Sequence, residues 1–247
     1  MRLRLGLVIA ALAASCLFGA ASAETITIGA EDDWYPYGGA IDGQPAGLGV
    51  DLVSAAFNAV GVNVRFTSLP YARCLEMVKR GELLACNEPA RTEETESTIL
   101  WPDEPLFIAQ SLIYARAGSK ESGLSAASLE GKSVAVTNGF EYGSSFDANK
   151  KILREVVVKE ISVFRMLAAQ RVEYALAYQK VANWIIANNA KEFAGKFTVV
   201  GKIDELGCYT GFSRTFPNSA HYLKLFNQGF AKIKKNGTYA EIEKRYP

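Results

Sequence analysis

The sequence predicts an α/β protein built as two similar lobes, and three observations carry that reading. Strand-like stretches of period two alternate with stretches of helical spacing from residue 24 onward. Two segments echo each other: Arg73-Cys74-Leu75-Glu76-Met77-Val78-Lys79-Arg80-Gly81-Glu82, and Phe164-Arg165-Met166-Leu167-Ala168-Ala169-Gln170-Arg171-Val172-Glu173. Each reads as a helix, a basic turn and an acidic residue ahead of a buried strand, although two unrelated helix–strand junctions would echo in the same way. Between them Phe107 to Tyr114 is a long β-prone run, placed to cross from one lobe to the other.

The elements follow in order. Thr25 to Ile28 alternates with period two, as do Val62, Val64 and Phe66. Val50, Val53, Ala56, Phe57 and Val60 recur at helical spacing, and Gly61 stops that helix. A helix over Tyr71–Arg80 ends at Gly81, and a strand starts at Leu83. Gly118 to Leu129, rich in Ser, Gly and Ala, reads as a loop. The second series runs through strands at Ser133–Val136 and Val156–Val158, a helix over Val163–Ala169, a strand at Tyr174–Ala177 and a helix over Lys180–Asn188. Thr198–Val200 and Cys208–Ser213 read as two last strands. Pro217-Asn218-Ser219 opens a helix to about Lys235, and Gly237 precedes a short terminal one.

Met1-Arg2-Leu3-Arg4, the apolar stretch Leu5 to Phe18 and the small residues ending Ala21-Ser22-Ala23 form the three-part pattern of a cleaved secretory signal peptide over 1–23. The apolar stretch falls short of the roughly 20 residues that span a bilayer. Cys16 leaves a lipoprotein anchor open, but Ala13 stands where a lipobox prefers Leu. Beyond the leader three cysteines remain, in a compartment that favours disulfides. The rises of the Tyr71–Arg80 helix and the following strand bring Cys74 and Cys86 to similar heights, which favours that pair and leaves Cys208 as a lone buried thiol. Reduced, buried thiols throughout are the alternative.

Lys plus Arg number 27 against 26 Asp plus Glu, a balance that argues against binding nucleic acid. The single histidine, His221, excludes His-rich zinc sites, and Glu93 to Glu96 lack the spacing of a calcium loop. No Walker-type phosphate loop is present. No cofactor and no metal are expected.

Trp34-Tyr35-Pro36-Tyr37, followed by Gly47-Leu48-Gly49-Val50-Asp51-Leu52 opening a helix, resembles the start of bacterial extracellular solute-binding proteins of family 3, the polar amino-acid type. The resemblance continues through Leu69-Pro70-Tyr71-Ala72-Arg73 and Leu129 to Val136, and ends at Lys235-Asn236-Gly237-Thr238-Tyr239. It implies the type II periplasmic-binding-protein fold, in which two α/β lobes joined by two hinge strands clamp a ligand in the cleft between them. Lobe 1 would comprise 24–112 plus 212–247 and lobe 2 would comprise 113–211, with Phe107–Tyr114 and Cys208–Ser213 as hinges. It also implies a periplasmic monomer that delivers a small-molecule ligand to the membrane permease of an ATP-driven (ABC) importer.

The family's amino-acid clamp does not carry over. Where amino-acid binders place an Asp after the first glycine turn and then a Thr-x-x-Arg segment, this chain has Gly81-Glu82-Leu83-Leu84 and Thr92-Glu93-Glu94-Thr95. Arg91 is the nearest substitute for the missing carboxylate-binding arginine. Where an acid would hold the ligand ammonium, Ala177-Tyr178-Gln179 presents Tyr178. The threonine near the second-lobe glycine is replaced within Asn138-Gly139-Phe140-Glu141-Tyr142-Gly143. The expected ligand-binding residues are therefore Glu31, Trp34, Tyr37, Tyr71, Arg73, Arg91, Phe140, Tyr142 and Tyr178. Each has a plainer alternative as a solvated charge or a core aromatic. Trp34 and Tyr37 would supply flat apolar walls and, for Trp34, cation–π attraction.

Two other functions stay open on the same architecture. One is a periplasmic enzyme similar to cyclohexadienyl dehydratases, for which Glu31, Glu141 and Glu173 are the acids to consider. The other is a ligand-sensing partner of a membrane receptor. Solute binding without catalysis is the expectation.

Overall fold

The computed structural model describes residues 24–246; the signal peptide expected over 1–23, with Cys16, lies outside the described residues. Eight strands follow one another across a curled mixed sheet in the order Leu153–Val157, Ser133–Thr137, Tyr174–Tyr178, Phe107–Arg116, Phe197–Ser213, Ala85–Ala90, Glu24–Glu31 and Val62–Leu69. A short strand, Ile99–Leu100, pairs with the end of Phe197–Ser213.

The two outer thirds of this sheet are parallel and the middle is antiparallel. Glu24–Glu31 runs parallel to Val62–Leu69 in unbroken register, Glu24 opposite Val62 and Glu31 opposite Leu69. Ser133–Thr137 runs parallel to both Leu153–Val157 and Tyr174–Tyr178. Between these groups, Phe107–Arg116 and Phe197–Ser213 form a long antiparallel ribbon, Arg116 opposite Phe197 and Phe107 opposite Cys208. Parallel neighbours need crossover helices, and the expected αβ alternation provides them.

The expectation of two separate strands at Thr198–Val200 and Cys208–Ser213 is corrected: one 17-residue strand covers both. Register shifts at Val199/Gly201, Lys202/Asp204 and Cys208/Thr210 interrupt its pattern. Bulges put extra residues into the strand and erase the period-two signal on which the reading relied. The Asp33–Ala46 segment also holds a three-stranded meander, Asp33–Trp34, Gly38–Ile41 and Gln44–Ala46. Asp42 and Gly43 both take positive φ at its tip, 51° and 75°, as a two-residue hairpin turn of primed type requires.

The helices match their apolar spacing. In Tyr71–Lys79 the buried residues are Tyr71, Cys74, Leu75 and Val78, and Gly81 follows with φ of 74°. Cys74 on this helix is disulfide-bonded to Cys86 on the Ala85–Ala90 strand, while Cys208 is free and buried. Helix Leu48–Asn58 packs against Ser219–Lys235, where a Cβ on Gly229 would stand 1.9 Å from the Ala56 carbonyl oxygen. That close approach requires glycine despite its cost inside a helix.

Candidate ligand cleft

The parallel strands of the two outer sheet regions bring their carboxyl ends to one place. Glu31 is the last residue of Glu24–Glu31, and Tyr71 opens the helix that follows Val62–Leu69. Phe140 and Glu141 follow Ser133–Thr137, and Tyr178 closes Tyr174–Tyr178. Ligands of open α/β sheets bind outside these strand ends. Here Glu31, Trp34, Tyr71, Phe140, Glu141 and Tyr178 line a cavity of about 250 Å³, together with Glu88, Ala90 and Cys208. An adjoining cavity of about 490 Å³ shares Glu31, Tyr71 and Phe140 with it and includes Asp32, Asp33 and Lys159.

The walls are aromatic. The Trp34 ring meets Tyr178 edge-on at 5.0 Å and Phe140 edge-on at 6.2 Å, and Tyr71 meets Phe140 at 5.5 Å. Edge-to-face contacts at these distances are the preferred ones and hold the rings in fixed orientations. Polar contacts link the same walls. The Tyr71 hydroxyl donates to the Glu141 carboxylate at 2.8 Å, the Tyr178 hydroxyl donates to the Glu141 backbone carbonyl, and the Glu160 backbone N–H donates to Asp33 Oδ2 at 3.1 Å.

Five of the nine expected ligand residues thus line the cavity: Glu31, Trp34, Tyr71, Phe140 and Tyr178. Tyr37 and Tyr142 stand behind it. Tyr37 stacks on Phe107 at 4.5 Å and meets Trp34 tilted by 35° at 4.7 Å; Tyr142 stacks on Tyr178 at 6.0 Å, and its hydroxyl accepts from the Thr137 N–H at 2.9 Å. Arg73 and Arg91 are exposed and line neither cavity. Arg91 is occupied by a two-pronged ion pair with Glu96, at 2.6 and 2.7 Å.

Sequence reasoning did not select Glu88. It lies in the fully buried strand Ala85–Ala90, is 4% exposed, and neither carboxylate oxygen has a hydrogen-bond partner. Its backbone takes φ of 76°, unusual for a residue with a side chain, and such outliers gather at functional sites. Burial pushes its carboxyl up to about 8. The available signal was an acid beside Asn87 in a run that is otherwise apolar from Leu83 to Ala90. Glu31 is likewise raised well above its ordinary range, by burial first and then by repulsion from Glu88, Glu160, Asp33 and Asp32. Burial also raises the Cys208 thiol, so it is held neutral and unreactive.

Among the described residues, no cluster of three His, Cys, Asp or Glu side chains is arranged to hold a metal ion, and no helix is long and apolar enough to cross a membrane.

A two-lobed α/β binding protein with a cleft at its strand ends is the class these features define. The chain belongs to the bacterial extracellular solute-binding proteins, family 3, whose sequence model matches residues 26–247. A search of curated protein sequences finds no match. Among solved structures, a histidine kinase sensor domain with similarity to periplasmic binding proteins is similar at TM-score 0.79 and 23% identity, covering 90% of this chain and 95% of its own. An ancestral arginine-binding protein bound to arginine follows at 0.77 and 21%, covering 90% and 97%. An ancestral amino-acid-binding protein, a precursor of cyclohexadienyl dehydratase, reaches 0.74 and 18%, covering 90% and 94%. At these identities the structural likeness is one of fold.

Proposed function

We propose that this chain is a periplasmic solute-binding protein that captures a small polar solute between its lobes and delivers it to the permease of an ABC importer. The observation that carries the proposal is the cavity itself, which draws its walls from both outer regions of the sheet. Lobe 1 is taken as 24–112 plus 212–247 and lobe 2 as 113–211, with the Phe107–Arg116 and Phe197–Ser213 ribbon as the hinge. Tyr71, at the end of a lobe 1 strand, and Glu141, after a lobe 2 strand, then bond across the cleft. Ligand capture needs lobes that separate and close around such a hinge, and closure gives the permease a shape to recognise. A monomer suffices, because one chain supplies both walls.

The test is a thermal-unfolding screen of residues 24–247 against amines, amino acids, organic acids and prephenate. A ligand at 100 times its Kd should stabilise by about 2.7 kcal/mol, or roughly 5–10 °C for a chain of this size. Deleting the gene should abolish uptake of the compound that binds. A protein that responds to nothing in the screen overturns the proposal. The enzyme reading has one feature in its favour, the buried Glu88 carboxyl raised to about 8, within reach of general-acid work near neutral pH. Product formed from prephenate in the same incubations would favour it. A sensory role alongside a membrane receptor predicts binding without any effect of gene deletion on uptake.

A further inference from the structure

We infer that the ligand of this cleft is a small organic amine, bound as its cation and carrying no carboxylate, with Glu88 as its counter-ion. The inference rests on the solute-binding reading and concerns the chemistry of what is captured.

The first support is the sign of the lining. Glu31, Glu88 and Glu141 are among the residues that line the inner cavity, and no Lys, Arg or His is. The cation of the adjoining cavity, Lys159, is exposed and attracts Asp33. A ligand carboxylate would enter among acidic side chains with no basic side chain to receive it, whereas an ammonium group pairs with Glu88, which gives up to solvent the proton that burial holds on it in the unliganded chain.

The second support is which groups lack partners. Glu88 is 4% exposed, yet both its oxygens are without a hydrogen bond, and buried polar groups are rarely left so. The chain keeps space for this carboxylate: a Cβ on Gly38 would lie 2.1 Å from Glu88 Oε2, and one on Gly49 would lie 2.0 Å from Oε1. An ammonium has donors and no acceptor, so it supplies what these oxygens lack. The hydroxyls of the wall are already committed, Tyr71 to the Glu141 carboxylate and Tyr178 to the Glu141 carbonyl. The lining donor without a partner is the Trp34 indole N–H, which suits a single hydroxyl or ether oxygen.

The third support is the aromatic lining. Trp34, Tyr71, Phe140 and Tyr178 offer ring faces and edges around the acids, and ring faces attract ammonium and quaternary ammonium groups.

The experiment titrates residues 24–247 with putrescine, choline, arginine, glutamate and succinate, by calorimetry and by thermal unfolding. Putrescine or choline is expected to bind, and Glu88→Gln is expected to weaken that binding at least tenfold while the unliganded variant melts no lower than the parent. Should Glu88→Gln not fold, Glu31→Gln provides the same comparison. Tighter binding of arginine, glutamate or succinate than of either amine overturns the inference and leaves the solute-binding reading standing. So does amine binding that is as tight in the folded variant. No response to these five or to the wider screen overturns both.

Discussion

The Tyr71 hydroxyl lies 2.8 and 3.0 Å from the two oxygens of the Glu141 carboxylate, although the residues come from opposite ends of the sheet. One phenolic proton serves both oxygens. Burial, and then the neighbouring Glu141 charge, keep the phenol protonated at any physiological pH.

Tyr71→Phe removes that bond between the two walls. The variant should lose about 1.5–3 kcal/mol of stability, the range for a hydrogen bond to a charged group. Its unliganded radius of gyration by small-angle scattering should exceed the parent's, because one tie across the cleft is gone. Equal scattering curves would mean the walls are held by ring packing alone.

Glu88 sets a pH dependence. Its folded pKa, about 8, is above its ordinary value, so the folded chain holds a proton that the unfolded chain releases. Stability from this group is complete below about 4.5 and is lost as pH rises toward about 8. Glu31, Tyr37 and Cys208 interact with it, and no basic side chain lines the cavity to reverse the trend. Melting curves of the unliganded protein should fall across this window. Glu88→Gln should flatten the fall without abolishing it, since Glu31 and Glu160 are raised as well.

The three cysteines after residue 23 give a thiol count that checks the pairing. Native protein should show no reactive thiol, because Cys208 is 1% exposed, and denatured unreduced protein should show one. Replacing Cys74 and Cys86 together by Ser should cost roughly 2–3 kcal/mol, the usual value for closing a loop of about this length. Three thiols on denaturation would disprove the bond.

Arg73→Ala and Arg91→Ala should each leave ligand affinity and melting temperature unchanged. Both residues are exposed, and Arg91 spends its guanidinium on Glu96. Exposed pairs of this kind add little to stability. A tenfold loss of affinity in either variant would mean that the bound conformation brings the arginine into the cleft.

Residue order alone was enough to place most elements, because burial on one face imposes a period. The alternation at Thr25–Ile28 and the apolar spacing of Tyr71, Cys74, Leu75 and Val78 both follow from a single buried side. A strand-to-helix junction is a local feature too and pointed to Tyr71, while Glu31 and Tyr178 followed from the resemblance to the family; all three line the cavity. Glu88 was not recognisable in either way. Its strand is buried on both faces and has no alternation, and an acid there is unremarkable until its neighbours are known. Whether it finds a partner depends on Gly38 and Gly49, some 50 and 40 positions away in the chain. Arg91 failed in the opposite sense: its type suited a carboxylate, but Glu96 lay closer. Periodicity reports how a segment meets the core. The charge and the unmet hydrogen bonds of a cavity arise from segments distant in sequence, and only the folded chain brings those together.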